Sequence, residues 1–405
     1  HYYSRTSCRL CESDRLELAI PLGDSPISEK YVDKENVLEV SLSAPLDLYY
    51  CLDCAHVQLI NVVDPSILWS NFTFETGRND ALVKHFQEYG QKVAIIANLD
   101  SKDLVVDVGS NDGTLLNYYK KNNFITIGCE PAKNLQKFLK KNCTFQLNDF
   151  WSKKKLNKIL VKNNLKKPKI ITAIGMFYDL EKPNNFIRDA ADSLDDKGIF
   201  ISQLMCLKSM IEKNDLGNIC HEHIEFYSLK SIKFLFEKNG LEIFKIEKND
   251  INGGSYRIYC RKFANGSIKL PNENVLKLMT GFINRVKKNK RLIVNFINKK
   301  NQENKKVYLY GASTKGNTVL QYYGLNHDKI PFAAERSPEK WGKYTIGTGI
   351  KIISEKIARN INPDYFFVTP WGFVKEFIKR ERKWLRKGGS FIVPFPKFRL
   401  IKFDE

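Results

Sequence analysis

The sequence predicts an α/β protein: a doubly wound, Rossmann-like core with a small metal-stapled head before it and a second α/β domain after it. Three observations carry that expectation. An apolar run, Val105–Val108, turns through Gly109 and Gly113 into a helical pattern, the opening of a nucleotide-binding βαβ unit. Two Cys-x-x-Cys pairs precede it, Cys8/Cys11 and Cys51/Cys54. After it, short apolar runs alternate with helical patterns to the end of the chain. The expected domains are 1–68, 69–247 and 248–405.

In the head, each cysteine pair has the two-residue separation that points two thiolates at one ion, and together they complete a tetrahedral set. The flanking LDLYYC and AHVQLI segments predict a hairpin with Cys51 and Cys54 in its turn, as in a zinc ribbon. Four thiolates leave no open position for water, so the implied Zn2+ is structural; the competing reading is four free or redox-active cysteines. About 60 residues bury little core, so the ion supplies folding energy that burial does not.

In the core, Asn79–Leu99 has helical periodicity. Beyond the first strand, Asp107, Asn111 and Asp112 offer acceptors to a cationic ligand group, while Gly109 and Gly113 admit backbone approaches that a side chain would block. A dinucleotide reader would show G-x-G-x-x-G; the acid-rich G-x-N-D-G stands in its place. S-adenosyl-L-methionine has no pyrophosphate but carries an amino-acid group and a sulfonium cation, which favours it over NAD. Glu130, after the next apolar run, is suited to both ribose hydroxyls, Asp149 to the adenine amine and Phe150 to the adenine ring. The strand Ile170–Ile174 opens its carboxyl end toward the donor, which makes Met176, Tyr178 and Asp179 candidates. A helix starting near Ser228 and stopping at Gly240 follows.

Chemistry concentrates in Cys220, His221, Glu222 and His223, just before that helix. Three readings stand: general acid–base catalysis by an imidazole oriented by a carboxylate, a metal site of Cys220, His221 and His223, or structural hydrogen bonding. A second cluster, Asn249–Tyr259, sets Asn252, Ser255 and Arg257 beside Gly253 and Gly254, suited to phosphate or sugar oxygens. In the third, the strand Val307–Tyr310 enters a loop, Gly311–Asn317, with a helix expected near Thr318. Exposed N–H groups of Gly311, Ser313 and Asn317 with the Lys315 cation suggest an anion cradle, with Arg336, Lys340 and Lys343 nearby. The Walker pattern is missing, so ATP hydrolysis is a poor reading.

Composition sets outer limits. A 43% hydrophobic, 12% aromatic chain of 405 residues builds real cores and is not disordered. No window of 18 apolar residues crosses a membrane, and no signal-peptide apolar region opens the chain. Nine cysteines, an odd number with five scattered, point to a reducing compartment, the cytoplasm. The net charge of +20 favours an anionic partner, but it sits in short Lys/Asn-rich stretches without a basic–aromatic stripe, so a nucleic-acid module is disfavoured.

The two CxxC pairs, DVGSNDG, CHEHIEFYS, NGGSYR, GASTKGNT and PWGF occur in one order along the chain. In that order the chain resembles the sugar-nucleotide C-methyltransferase family, the 3-C-methyltransferases of deoxysugar biosynthesis, over nearly its whole length. The resemblance implies an N-terminal zinc-binding domain, a class I S-adenosylmethionine-dependent methyltransferase core and a C-terminal α/β domain that helps hold a nucleotide-linked sugar. It implies methylation at C3 of a 4-keto-6-deoxysugar through an enolate, with His223 as base and Glu222 as its partner. Asn252, Ser255 and Arg257 become sugar or phosphate contacts, and Gly311–Asn317 part of the nucleotide-sugar site. The chain departs from the pattern at Cys220, where many members carry tyrosine, at Asp179, where a histidine is familiar, and at Phe72 and Phe74, where tyrosines are usual. Tyr178 and Tyr227 are the candidates to replace a lost hydroxyl. O- or N-methylation of another phosphorylated metabolite is the alternative reading.

Overall fold

The computed structural model describes residues 1–27, 31–33, 42–69 and 75–403. The Asn252 side chain, Phe72 and Phe74 lie outside the described residues. Among those described, seven strands form the central sheet in the order Phe145–Leu147, Ile125–Cys129, Leu104–Val108, Ile170–Ile174, Ile199–Met205, Ser255–Lys262, Leu241–Asn249. Only Ser255–Lys262 runs against its neighbours. The middle strands are continuous apolar runs because helices cover both faces: Val105 and Val106 are fully buried. The order reverses between Leu104–Val108 and Ile170–Ile174, and at such a switch point the strand ends splay into a crevice.

The boundary expected at 247 cuts this sheet. Leu241–Asn249 and Ser255–Lys262 form a hairpin that completes it, so the NGGSYR segment is part of the core rather than of the C-terminal domain. The segment from Ser255, read in sequence as part of a polar cluster, is a strand whose backbone pairs with that of Ile199–Met205.

The C-terminal domain is a second doubly wound sheet. Five parallel strands lie in the order Ser390–Val393, Tyr365–Val368, Val307–Tyr310, Phe332–Glu335, Lys351–Ser354. The helix after Val307–Tyr310 is Thr314–Tyr323, four residues earlier than expected. Its N-cap explains the difference: the Ser313 side chain accepts from the Gly316 N–H at 3.1 Å, so the loop winds up at once. A 28-residue helix, Val275–Gln302, carries one apolar stripe (Val275, Met279, Phe282, Val286, Ile293, Ile297). That stripe packs on the helix Leu207–Glu212, the head strand Leu16–Ile20 and the strand Val307–Tyr310, tying the three units together.

The head hairpin is present: Leu48–Cys51 pairs antiparallel with Val57–Leu59. Its sheet does not end there. The strand Glu225–Phe226, immediately after the His-Glu-His run, joins its edge beside Val57–Leu59. Arg9 is buried and donates to Glu181 at 2.7 Å, and Lys238 donates to the Leu10 carbonyl at 2.9 Å, so the head is docked on the core. Among the described residues no helix is long and apolar enough to cross a membrane.

Candidate active site

A cavity of about 770 Å³ opens at the carboxyl ends of the central strands. That is the size and place at which an open α/β sheet takes a small molecule or cofactor. Asp107, Gly109, Asn111, Glu130, Phe150, Met176, Tyr178, Asp179, His223, Ser255 and Lys315 all reach its wall.

The donor side is built around the first turn. Gly109 sits at φ +69, and a Cβ there would come within 2.6 Å of Met176 Cγ, so only glycine keeps both the turn and the space. The Glu130 carboxylate accepts from the backbone N–H groups of Asn111 and Ala132, each at 2.9 Å, which aims it across the turn; burial raises it above the usual carboxylate range. Asp107 is pushed up to about 7 by burial, with the Thr172 hydroxyl donating to it at 2.6 Å and opposing that shift. The Asn111 side chain accepts from the Thr76 N–H and hydroxyl, which ties segment 76–78 to the cavity wall.

Three expected cofactor residues do other work. Asp112 accepts from Thr114 and from the Gly77 N–H at 2.6 Å, capping the helix Thr114–Lys121 and strapping the same segment. Gly113, at φ +81, makes room for Asn142 and is absent from the cavity wall. Asp149 is exposed and ion-paired with Lys155 at 2.6 Å, because the chain turns outward after Leu147; Phe150 and Trp151 take the cavity wall there. Thr76, His85, Gln203 and Trp151 line the cavity without a sequence motif to mark them.

The His-Glu-His run splits by direction. His223 Nδ1 lies 2.8 Å from the Asn218 backbone oxygen. A carbonyl only accepts, so Nδ1 carries the proton and Nε2 keeps a lone pair. Burial first, and then the Lys315 cation, lower the imidazole to about 3. Tyr178 packs edge-on against this ring, centroids 4.7 Å apart. His221 points the other way, its Nε2 2.9 Å from the Ala44 oxygen in the head. The buried Glu222 lies against the Cys220 thiol, which burial and then that carboxylate's charge raise well above its ordinary range. Asp179 is also raised, by burial and then by Glu222 and Glu225, and its Oδ1 has no hydrogen-bond partner among the described residues. Cys220, His221 and His223 do not converge on one point, so the metal reading of this run falls away: among the described residues only Cys8, Cys11, Cys51 and Cys54 gather.

The other clusters are rearranged. Arg257 is buried and committed: it donates twice to Gln203 Oε1, at 3.0 and 2.9 Å, and covers the Tyr89 ring. It is not among the cavity-lining residues and buttresses Gln203, which is. Ser255 reaches the wall, though its hydroxyl donates to the Ile251 oxygen. The Gly311–Asn317 cradle already meets a carboxylate at one N–H, that of Ala312. Glu335 takes the Ala312, Arg336 and Ser337 N–H groups, and Tyr31 and Lys340 both donate to the Ala312 oxygen. A carboxylate in the concavity repels a second anion. Gly311, at φ +86, faces Pro370, Asn317 is buried, and Arg336 is exposed 3.7 Å from Glu376. Lys315 alone leaves this loop for the central cavity.

Both expected cofactors fit the residues present. The four cysteine sulfurs lie within 4.8 Å of one another, with Cys8–Cys54 and Cys11–Cys51 at 3.5 Å. Four thiolates around zinc at about 2.3 Å sit roughly 3.8 Å apart, so the set holds Zn2+ with little movement. The glycine turn, the inward carboxylate of Glu130 and the aromatic wall suit S-adenosylmethionine.

Comparison with known proteins agrees in domain order. Three family models match: a zinc binding domain over 8–69, a methyltransferase domain over 82–246 and a C-methyltransferase C-terminal domain over 250–396. The C-methyltransferase NovU of Streptomyces niveus is 25% identical over 413 residues, covering 98% of this chain and 97% of that protein. Among solved structures, a Clostridium acetobutylicum S-adenosylmethionine-dependent methyltransferase is similar at 12% identity, TM-score 0.35, covering 45% of this chain and 92% of that one. Magnesium protoporphyrin IX methyltransferase from Synechocystis is similar at 14% identity, TM-score 0.36, covering 48% and 90%. With one model for each of the three units, in order, and a relative matched from end to end, the chain belongs to the S-adenosylmethionine-dependent C-methyltransferases that carry an N-terminal zinc-binding domain.

Proposed function

We infer that the enzyme methylates a carbon next to a carbonyl, C3 of a nucleotide-linked 4-keto-6-deoxysugar. The observation that carries this reading is the tautomer of His223: Nδ1–H is spent on the Asn218 carbonyl, which leaves Nε2 as an acceptor on a ring that lines the cavity. An amine attacks through its own lone pair and a hydroxyl needs only a base, whereas a C–H needs both a fixed base and an adjacent carbonyl to take the electron pair. His223 Nε2 is placed to remove that proton, and the pair moves onto the carbonyl oxygen as an enolate. Burial and the Lys315 cation keep the imidazole neutral in the free enzyme and lower its basicity, so proton transfer depends on its fixed position. Gly109, Glu130 and the Phe150–Trp151 wall would hold S-adenosylmethionine, which supplies the electrophilic methyl group. The ordered motif set supports the sugar-nucleotide class.

Incubation with the donor and a nucleotide-linked 4-keto-6-deoxysugar should give a product heavier by one methyl, placed on carbon by mass spectrometry and carbon-resolved NMR. Methylation confined to oxygen or nitrogen defeats the proposal. Glu130→Ala should weaken donor binding about 10–100-fold, since hydrogen bonds to a charged group contribute about 1.5–3 kcal/mol. Calorimetric titration decides it, and an unchanged Kd removes Glu130 from the ribose role.

A further inference from the structure

We propose that Lys315, delivered from the C-terminal domain, is a catalytic residue: its ammonium is the cation that receives the enolate oxygen as His223 takes the proton. The inference rests on the keto-sugar reading above and names the group that reading lacks, an acceptor for the developing negative charge.

The geometry places one residue between the two. Asn218 accepts from His223 Nδ1 through its backbone oxygen at 2.8 Å and from Lys315 Nζ through its side-chain oxygen at 2.6 Å. The amide is held in that orientation because its nitrogen donates to Asp215 at 2.9 Å. The imidazole and the ammonium therefore lie on either side of one fixed residue, and both line the same cavity. An ammonium has three N–H donors; Asn218 takes one, the Met205 sulfur at 3.7 Å is a weak acceptor, and the cation's charge also acts on the buried Asp179 and Asp215 carboxylates without a hydrogen bond to either.

The chain takes trouble to bring this lysine in. Lys315 is the second residue of the helix Thr314–Tyr323, whose first turn packs on the 216–218 turn so closely that a Cβ on Gly217 would stand 2.8 Å from the Lys315 oxygen. The cradle from which it departs already meets the Glu335 carboxylate at the Ala312 N–H, so the cation is not needed there.

The step balances without a further reactant. The C3–H bond breaks, its proton goes to His223 Nε2, and its electron pair makes the C3–C4 double bond while the C4 oxygen becomes an oxyanion. Lys315 donates a charged hydrogen bond to that oxygen and stays protonated. When C3 takes the methyl group, the donor's S–CH3 bond breaks with its electron pair left on sulfur, S-adenosylhomocysteine departs, the carbonyl re-forms, and His223 returns its proton to solvent. A preorganised cation in a water-poor site acts on charge that exists only after the ground state, which lowers the barrier rather than tightening substrate binding.

The test is deuterium wash-in at C3 of a nucleotide-linked 4-keto-6-deoxysugar, followed by NMR without methyl donor. Lys315→Met should slow exchange about 10²–10³-fold, the usual loss on removing one oxyanion donor, with KM and the Kd for S-adenosylmethionine nearly unchanged. Lys315→Gln keeps a donor for Asn218 without the charge; it should show the same loss, and it covers the case in which the methionine variant fails to fold. Lys315→Arg should recover much of the rate. Either neutral variant exchanging at the wild-type rate overturns this inference alone. So does a loss confined to KM, accompanied by weaker binding of the nucleoside diphosphate, which would make Lys315 a phosphate anchor. A wild-type enzyme that exchanges no keto-sugar hydrogen overturns the substrate reading and this inference together.

Discussion

Replacing His223 by alanine is expected to cut proton removal and methyl transfer by roughly 10²–10⁴ while S-adenosylmethionine binds as before, because the donor-binding turn shares no hydrogen bond with this ring. Exchange of the sugar C3 hydrogen isolates the step. A variant exchanging at the wild-type rate would dismiss His223 as base and turn attention to Asp179, whose Oδ1 is unpartnered among the described residues. His221 is a poorer substitute, since its Nε2 faces the Ala44 carbonyl. Glu222→Gln should be slower through the changed charge acting on Cys220 and Asp179, without removing the proton acceptor.

The pH dependence has a sign. With the folded imidazole lowered to about 3 from an ordinary 6.5, His223 stays neutral in the free enzyme across the whole neutral range. The kcat/KM profile should therefore lack an imidazole limb near pH 6.5. Between those two values the unfolded chain binds the proton and the folded chain does not, so the stability His223 contributes is present above pH 6.5 and lost as pH falls toward 3. Melting curves at stepped pH should fall less steeply over that window in His223→Asn than in wild type.

Removing zinc should have the largest effect on stability, on the order of 10 kcal/mol if the head behaves as other small four-ligand sites do. Cys8→Ser or Cys54→Ser should lose stoichiometric metal by elemental analysis and lower the Tm. The effect should travel. The Leu59 N–H donates to the Ile224 oxygen at 3.0 Å, Phe226 pairs with Val57, and His221 reaches Ala44, so the head sheet supports the segment that carries His223. Backbone amides of residues 219–227 should exchange faster with solvent in the zinc-free protein, and turnover should fall with them. Donor affinity should survive better, since Gly109 and Glu130 belong to the central sheet. Native protein with no zinc, or a metal-free variant with wild-type Tm, refutes the structural site.

Much of this was legible in the chain because the relevant physics is local. A two-residue gap between cysteines aims two thiolates at one ion whatever surrounds them, and a β-branched run between glycine turns makes a buried strand. The start of the helix at Ser228 and the helix Thr114–Lys121 were legible for the same reason. The core boundary was not, because the strand Ser255–Lys262 is recruited by Ile199–Met205, some fifty residues earlier in the chain, and nothing near Glu247 announces it.

By itself the sequence determined the two sheets, the metal tetrad and the acid-bearing turn after the first strand, all set by spacing and side-chain type within a few residues. The tertiary structure decided which polar groups meet the cavity. Arg257 and Asp112 look like ligand contacts in sequence but find nearer partners in space, Gln203 for one and Gly77 for the other. Lys315 reads as a phosphate cradle, yet its ammonium meets Asn218, 97 residues away, because Glu335 already meets the cradle at the Ala312 N–H and the helix packs against Gly217. A buried polar group takes the best partner within about 3 Å, and that partner is chosen by how distant segments fold together rather than by its neighbours in the chain.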